Sequence, residues 1–123
     1  MPRVMVIDDD PDILSGISRA LREAGYEVDS ALEAANGLRM MLEHAPDVLI
    51  TDLLMPHMDG VQLIRECRGL PSLDGLKIVA MSASSQLAPF AIMYGADVFL
   101  QKPFPWKTTI VTVAQLLARP SES

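Results

Sequence analysis

The sequence predicts one α/β domain, a doubly wound sheet of five parallel strands with five helices packed on its faces. Short apolar runs alternate five times with longer stretches of helical period, the pattern of strand–helix–strand units. No low-complexity linker or internal repeat interrupts the alternation. The length of 123 residues, half of them apolar, suits a single core and is too short for two ordinary domains. Residues 1–119 are read as the domain and residues 120–123, Pro120-Ser121-Glu122-Ser123, as a tail.

The first strand is predicted over residues 3–8. Helix one opens with Pro11 in its first turn, after Asp10 as N-cap, and ends at Gly25; Ile13, Leu14, Ile17, Ala20, Leu21 and Ala24 share one face. Residues 26–31 alternate apolar Tyr26 and Val28 with Glu27 and Asp29, as in a half-exposed strand at a sheet edge. Helix two covers 33–44 and is stopped by Pro46. Strand three covers 47–52, where continuous Val48, Leu49 and Ile50 indicate burial on both faces. Helix three spans 60–68 and closes at Gly69-Leu70-Pro71. Strand four spans 77–82, helix four 84–93, strand five 97–101, read as another buried run, and helix five 105–118. Pro89 falls inside helix four, where it removes a hydrogen bond unless it lies near the helix start. The β-branched run from Thr108 to Val113 favours a strand by propensity alone; the alternation and the helix-forming 114–118 segment make it a helix.

Charge and composition exclude several function classes. A formal net charge of −6 argues against direct nucleic-acid binding by this chain. The apolar stretch after Met1 is far too short for a signal peptide and no later run approaches a membrane span, which predicts a cytoplasmic protein without membrane partners. The single cysteine, Cys67, cannot build a disulfide framework or a cysteine-based zinc site within one chain, and reads as a small core residue. His44 suits a helix C-terminus and His57 a surface turn, with no second histidine at ligand spacing. The eight methionines read as core filler.

Parallel strands bring their C-terminal ends to one edge, where ligands of doubly wound sheets bind. Asp8 and Asp9 follow strand one, Asp52 ends strand three, Ser82 ends strand four and Lys102 follows strand five. Two carboxylates about 4 Å apart repel by roughly 4 kcal/mol at an effective dielectric near 20, so such a cluster requires a cation. Hard oxygen ligands of this kind fit Mg2+. A carboxylate beside that cation can also act as a nucleophile toward phosphorus, with Lys102 and the cation offsetting charge on the phosphoryl oxygens and the Ser82 hydroxyl orienting them. Asp52 is the predicted acceptor, ahead of a turn held by Pro56 and Gly60.

These residues resemble the receiver domains of two-component response regulators, similar to the bacterial chemotaxis regulator. The resemblance runs through nearly the whole chain: Asp8-Asp9, Asp52 at the head of a D-x-x-M-P-x-M-D-G stretch, Ser82-Ala83, and Lys102-Pro103-Phe104. It implies the flavodoxin-like strand order 2-1-3-4-5. It implies that Asp9 and Asp52 bind Mg2+ directly, that Leu54 adds its backbone carbonyl, and that Asp8 acts mostly through water. Lys102 would contact the phosphoryl group, and its bond to Pro103 would be cis. The implied function is a phosphoacceptor switch, not a turnover enzyme. Asp52 would take its phosphoryl group from a sensor histidine kinase or histidine phosphotransfer protein. Ser82 and Phe99 would then rearrange and alter the α4-β5-α5 face, through which an effector domain or a second copy would be engaged.

Two features depart from the family pattern. Between Ser82 and Lys102 the only charged residue is Asp97, which suggests an apolar partner face on helix four. Leu54 stands two residues after the acceptor, where a polar residue is common, and its bulk is expected to hinder water. The competing readings are a phosphohydrolase of haloacid dehalogenase type, which needs a carboxylate where Leu54 stands, and a phosphorylation-independent interaction module.

Overall fold

The computed structural model describes residues 2–119; the tail expected at 120–123 lies outside the described residues. Strands β1 (Arg3–Ile7), β2 (Glu27–Ala31), β3 (Val48–Asp52), β4 (Lys77–Ser82) and β5 (Val98–Gln101) form one sheet in the order β2-β1-β3-β4-β5. Every pairing is parallel. Helices α1 (Pro11–Glu23), α2 (Ala34–Glu43), α3 (Gly60–Arg68), α4 (Ala88–Met93) and α5 (Trp106–Ala118) connect and follow the strands, with 3₁₀ turns at Pro71–Leu73 and Ser85–Leu87. This is the flavodoxin-like architecture that the sequence predicts.

Alternation along the strands builds two cores. Val4 and Val6, Val48 and Ile50, Val79 and Met81 point to the side covered by α1 and α5, against Leu14, Ile17, Leu21, Val113 and Leu116. Met5 and Ile7, Leu49, and Ile78 and Ala80 point to the other side, against residues of α2, α3 and α4 that include Met41, Leu63, Ile64 and Ala91. Cys67 lies fully buried in this second core, where burial pushes its thiol up to about 11. All five residues of β3 are buried, as its continuous apolar run requires.

Local chemistry sets the helix ends. The Asp10 side chain accepts from the N–H groups of Asp12 and Ile13, with Pro11 behind it, as an N-cap should. In α5 the β-branched residues are accommodated because Thr109 and Thr112 donate their hydroxyls to the carbonyls of Trp106 and Thr108, which satisfies buried hydroxyls along the helix. Helix four differs from expectation: residues 85–87 form a 3₁₀ turn and α4 begins only at Ala88. The reason is Pro89, whose missing N–H is tolerated only in a first turn. Strand five also differs, since β5 is the second sheet edge and Val98, Phe99 and Leu100 are half-buried. Apolar runs alone do not separate a central strand from an edge strand whose side chains still pack on both faces. Phe90, Ile92 and Met93 of α4 are exposed, so the charge-poor segment does present apolar side chains outward.

Candidate functional site

The site lies where the connections from β1 and β3 leave in opposite directions, the crevice at which doubly wound sheets bind ligands. Strand parity aims the side chains. Asp8 continues the even-numbered row of Val4 and Val6, and Asp52 that of Val48 and Ile50, so both emerge on the α1–α5 side. One ligand oxygen each from Asp8, Asp9 and Asp52 lie within 4.8 Å of one another. Asp8 is fully buried and Asp52 nearly so, while Asp9 is exposed.

Lys102 reaches into this cluster from the end of β5. Its Nζ donates to Asp8 Oδ2 at 2.8 Å and lies 3.4 Å from Asp52 Oδ1. Asp8 Oδ1 accepts from the backbone N–H of Asp10 at 2.9 Å, which fixes the carboxylate from its other side. Burial, then the charge of Asp8, holds the Asp52 carboxyl above its ordinary range; Lys102 and the Leu54 N–H pull the other way without cancelling them. Burial works against the Lys102 ammonium, yet its hydrogen bond to Asp8 and the charges of both aspartates leave it above its usual value. Three carboxylates against one ammonium leave a net negative site built of hard oxygens, and that donor set fits a divalent cation such as Mg2+.

The remaining expected residues divide by face. Ser82 continues the row of Ile78 and Ala80, on the α2–α3–α4 side, and its hydroxyl accepts from the Ser84 N–H at 3.1 Å. Phe99 pairs in register with Ala80 and packs on the same core, so it is a diagonal neighbour of Ser82 along the sheet. Leu54 sits just past the strand, more than half exposed. The Lys102–Pro103 bond is cis, and the Lys102 N–H donates to the Ser82 carbonyl at 2.9 Å, tying the two strand ends together.

Sequence reasoning understated Gly60. A Cβ there would stand 2.2 Å from the Asp52 carbonyl oxygen and 2.7 Å from Leu53 Cα, so the start of α3 rests directly on the acceptor's backbone. The Gly60 N–H donates to the Leu53 carbonyl at 3.0 Å. A glycine opening a helix straight after Asp59 is the signal for such an approach. Reasoning missed Arg68 altogether: it joins the Gly95 and Leu76 carbonyls and the Asp97 carboxylate, pinning the end of α4. Nothing in the spacing of these residues pairs them.

Residues 4–114 match the family described as the response regulator receiver domain. The chain belongs to that family. Its members are signalling modules that accept phosphoryl groups, not turnover enzymes. The receiver domain is 35% identical over 118 residues to the transcriptional regulatory protein PrrA of Mycobacterium bovis, covering 96% of this chain and 51% of PrrA. It thus spans about half the length of the curated relatives it matches. Among solved structures it is similar to the chemotaxis protein CheY4 of Vibrio cholerae, with a TM-score of 0.88, 28% identity, and coverage of 94% of this chain and 98% of that one. It is also similar to the response regulator TrrA of Thermotoga maritima in complex with Mg2+ and BeF, with a TM-score of 0.84, 28% identity, and coverage of 94% and 99%. No helix among the described residues is long and apolar enough to cross a membrane.

Proposed function

We propose that this receiver domain is a phosphoacceptor switch in which Asp52 takes a phosphoryl group from a phosphohistidine of a sensor histidine kinase or a histidine phosphotransfer protein. One Asp52 oxygen forms the new bond to phosphorus as the bond from phosphorus to the histidine nitrogen breaks, and the imidazole leaves with the nitrogen's electron pair. The observation that carries this reading is the approach of Lys102 Nζ to both Asp8 and Asp52, inside a carboxylate cluster open at Asp9. Asp9 and Asp52, with the Leu54 carbonyl, would hold Mg2+, and Asp8 would act mostly through water. The ion's part is to offset charge on the phosphoryl oxygens. Lys102 neutralises a further oxygen, and Ser82 orients one by its hydroxyl.

The switch follows from the shared face of Ser82 and Phe99. Turning the Ser82 hydroxyl toward a phosphoryl oxygen withdraws it from the Ser84 N–H and frees the space into which Phe99 turns. Only a difference in phosphoryl contacts between the two states can drive this shift, and moving from 1:99 to 99:1 takes about 5.5 kcal/mol. The altered α4-β5-α5 face, with exposed Phe90, Ile92 and Met93, is the surface for an effector domain or a second copy. The protein works in the cytoplasm, where such donors carry their phosphohistidines. A haloacid dehalogenase type of turnover is disfavoured because Leu54 offers no carboxyl to protonate a leaving group.

The test is incubation with Mg2+ and a small acyl phosphate, followed by intact-mass spectrometry. Wild type gains one phosphoryl group and Asp52→Ala gains none. Equal labelling of the two proteins, or no labelling of wild type, refutes the assignment.

A further inference from the structure

Gly16 lies in the middle of α1, where glycine costs about 1 kcal/mol relative to alanine. A Cβ at this position would stand 2.5 Å from Cε2 and Nε1 of Trp106 and 2.8 Å from Cζ2, so the indole rests on bare helix backbone. Trp106, the only tryptophan of the chain, opens α5 directly after Lys102-Pro103-Phe104-Pro105. Two prolines fix φ at alternate positions of that link. Phe104 meets the Trp106 ring edge-on, with centroids 6.3 Å apart and planes at 88°.

Beside the link lies an apolar hollow of about 160 Å³, lined by Ile13, Lys102, Pro103, Phe104 and Trp106. Phe104, half-buried within the segment, packs against the core under α1 and α5, and the segment is also held at its two ends. At one end the Lys102 N–H is bonded to the Ser82 carbonyl at 2.9 Å. At the other the indole is seated on Gly16.

We infer that Trp106, held against Gly16, is a positioning residue for Lys102, so that the contact between α1 and α5 sets how fast Asp52 accepts a phosphoryl group. The inference rests on the phosphoacceptor reading given above. A stiff link passes a displacement at Trp106 on to the residue that carries the ammonium, and a misplacement of about 1 Å at a reacting centre can cost up to 10²-fold in rate. Gly16→Ala forces such a displacement, because ring atoms at 2.5 Å must retreat. Trp106→Ala removes the anchor instead.

The experiment follows phosphoryl incorporation from a small acyl phosphate at saturating Mg2+, with no partner protein present, so that loss of a docking surface has no influence. Both variants are expected to react at least fivefold more slowly than wild type. In a Lys102→Met background Gly16→Ala is expected to have no further effect, since both changes act through the same ammonium; a merely structural role predicts that the two losses multiply. An unchanged rate in Gly16→Ala, or multiplication in the double variant, overturns the inference. If Gly16→Ala fails to fold, Trp106→Ala decides by the same criteria, alone and with Lys102→Met. Failure of wild type to become phosphorylated defeats the phosphoacceptor reading, and this inference falls with it; a labelled wild type with indifferent variants defeats this inference alone.

Discussion

Lys102→Met isolates the question of what holds the carboxylates together before any cation binds. The ammonium stands 2.8 Å from Asp8, which is fully buried, and 3.4 Å from Asp52, and methionine keeps most of its volume while removing its charge. Removing one partner of a buried ion pair costs about 3–5 kcal/mol, because the partner's charge is left uncompensated. Asp52 relieves part of this by taking up a proton, since its carboxyl already lies above the ordinary range. The expected loss in metal-free buffer near neutral pH is therefore at the lower end, about 3 kcal/mol, or a fall in Tm of roughly 10 °C. Mg2+ at a hundredfold excess over its Kd adds about 2.7 kcal/mol to any protein that binds it. It binds more tightly to the variant, from which a repelling cation has been removed, so the gap between the two proteins narrows in Mg2+. Urea unfolding of both, with and without Mg2+, measures this directly. A gap of the same size in both buffers, or a metal-free variant as stable as wild type, refutes the view that Lys102 offsets the repulsion.

Gly60→Ala places a Cβ 2.2 Å from the Asp52 carbonyl oxygen, so α3 must retreat by about 1 Å; stability falls by about 1–3 kcal/mol although alanine is the better helix former, and a Mg2+ titration shows weaker binding. A Gly60→Ala protein more stable than wild type contradicts that contact. Leu54→Asn replaces an exposed apolar side chain beside the acceptor and should shorten the aspartyl-phosphate lifetime in a decay assay; a wild-type half-life shorter than the variant's goes against the shielding argument. Cys67 has its thiol raised to about 11 from 9.0, so its contribution of about 3 kcal/mol is fully present below pH 9 and is lost as pH rises through 11. Chemical unfolding at pH 8 and pH 11 should show a smaller loss for Cys67→Ala than for wild type, and equal losses count against the buried neutral thiol.

Much of the candidate site was legible because chemistry and strand ends coincide in the sequence. Asp8, Asp52, Ser82 and Lys102 each end or follow an apolar run, and a parallel sheet carries such positions to one edge. Parity along the same runs divides Asp8 and Asp52 from Ser82 and Phe99, though the division acquires meaning only once helices cover each face. Pro89 marked a difficulty in helix four, and its resolution, a 3₁₀ turn before a short helix that opens at Ala88, places the proline in the first turn, where its missing N–H is tolerated.

By itself, the sequence determined the alternation of elements, the two-sided burial of β3, the cap at Asp10 and the identity of the acidic residues, because each rests on neighbours a few positions away along the chain. Only the tertiary structure decided that β5 is an edge strand, that Arg68 pins Gly95 and Asp97, that α3 rests on the backbone of Asp52 through Gly60, and that Trp106 finds bare backbone at Gly16. Those contacts join residues 8 to 90 positions apart, and no local pattern records them: what selects the partner is the shape left when two packed faces close, and a glycine in the sequence does not say which side chain will fill the space it leaves.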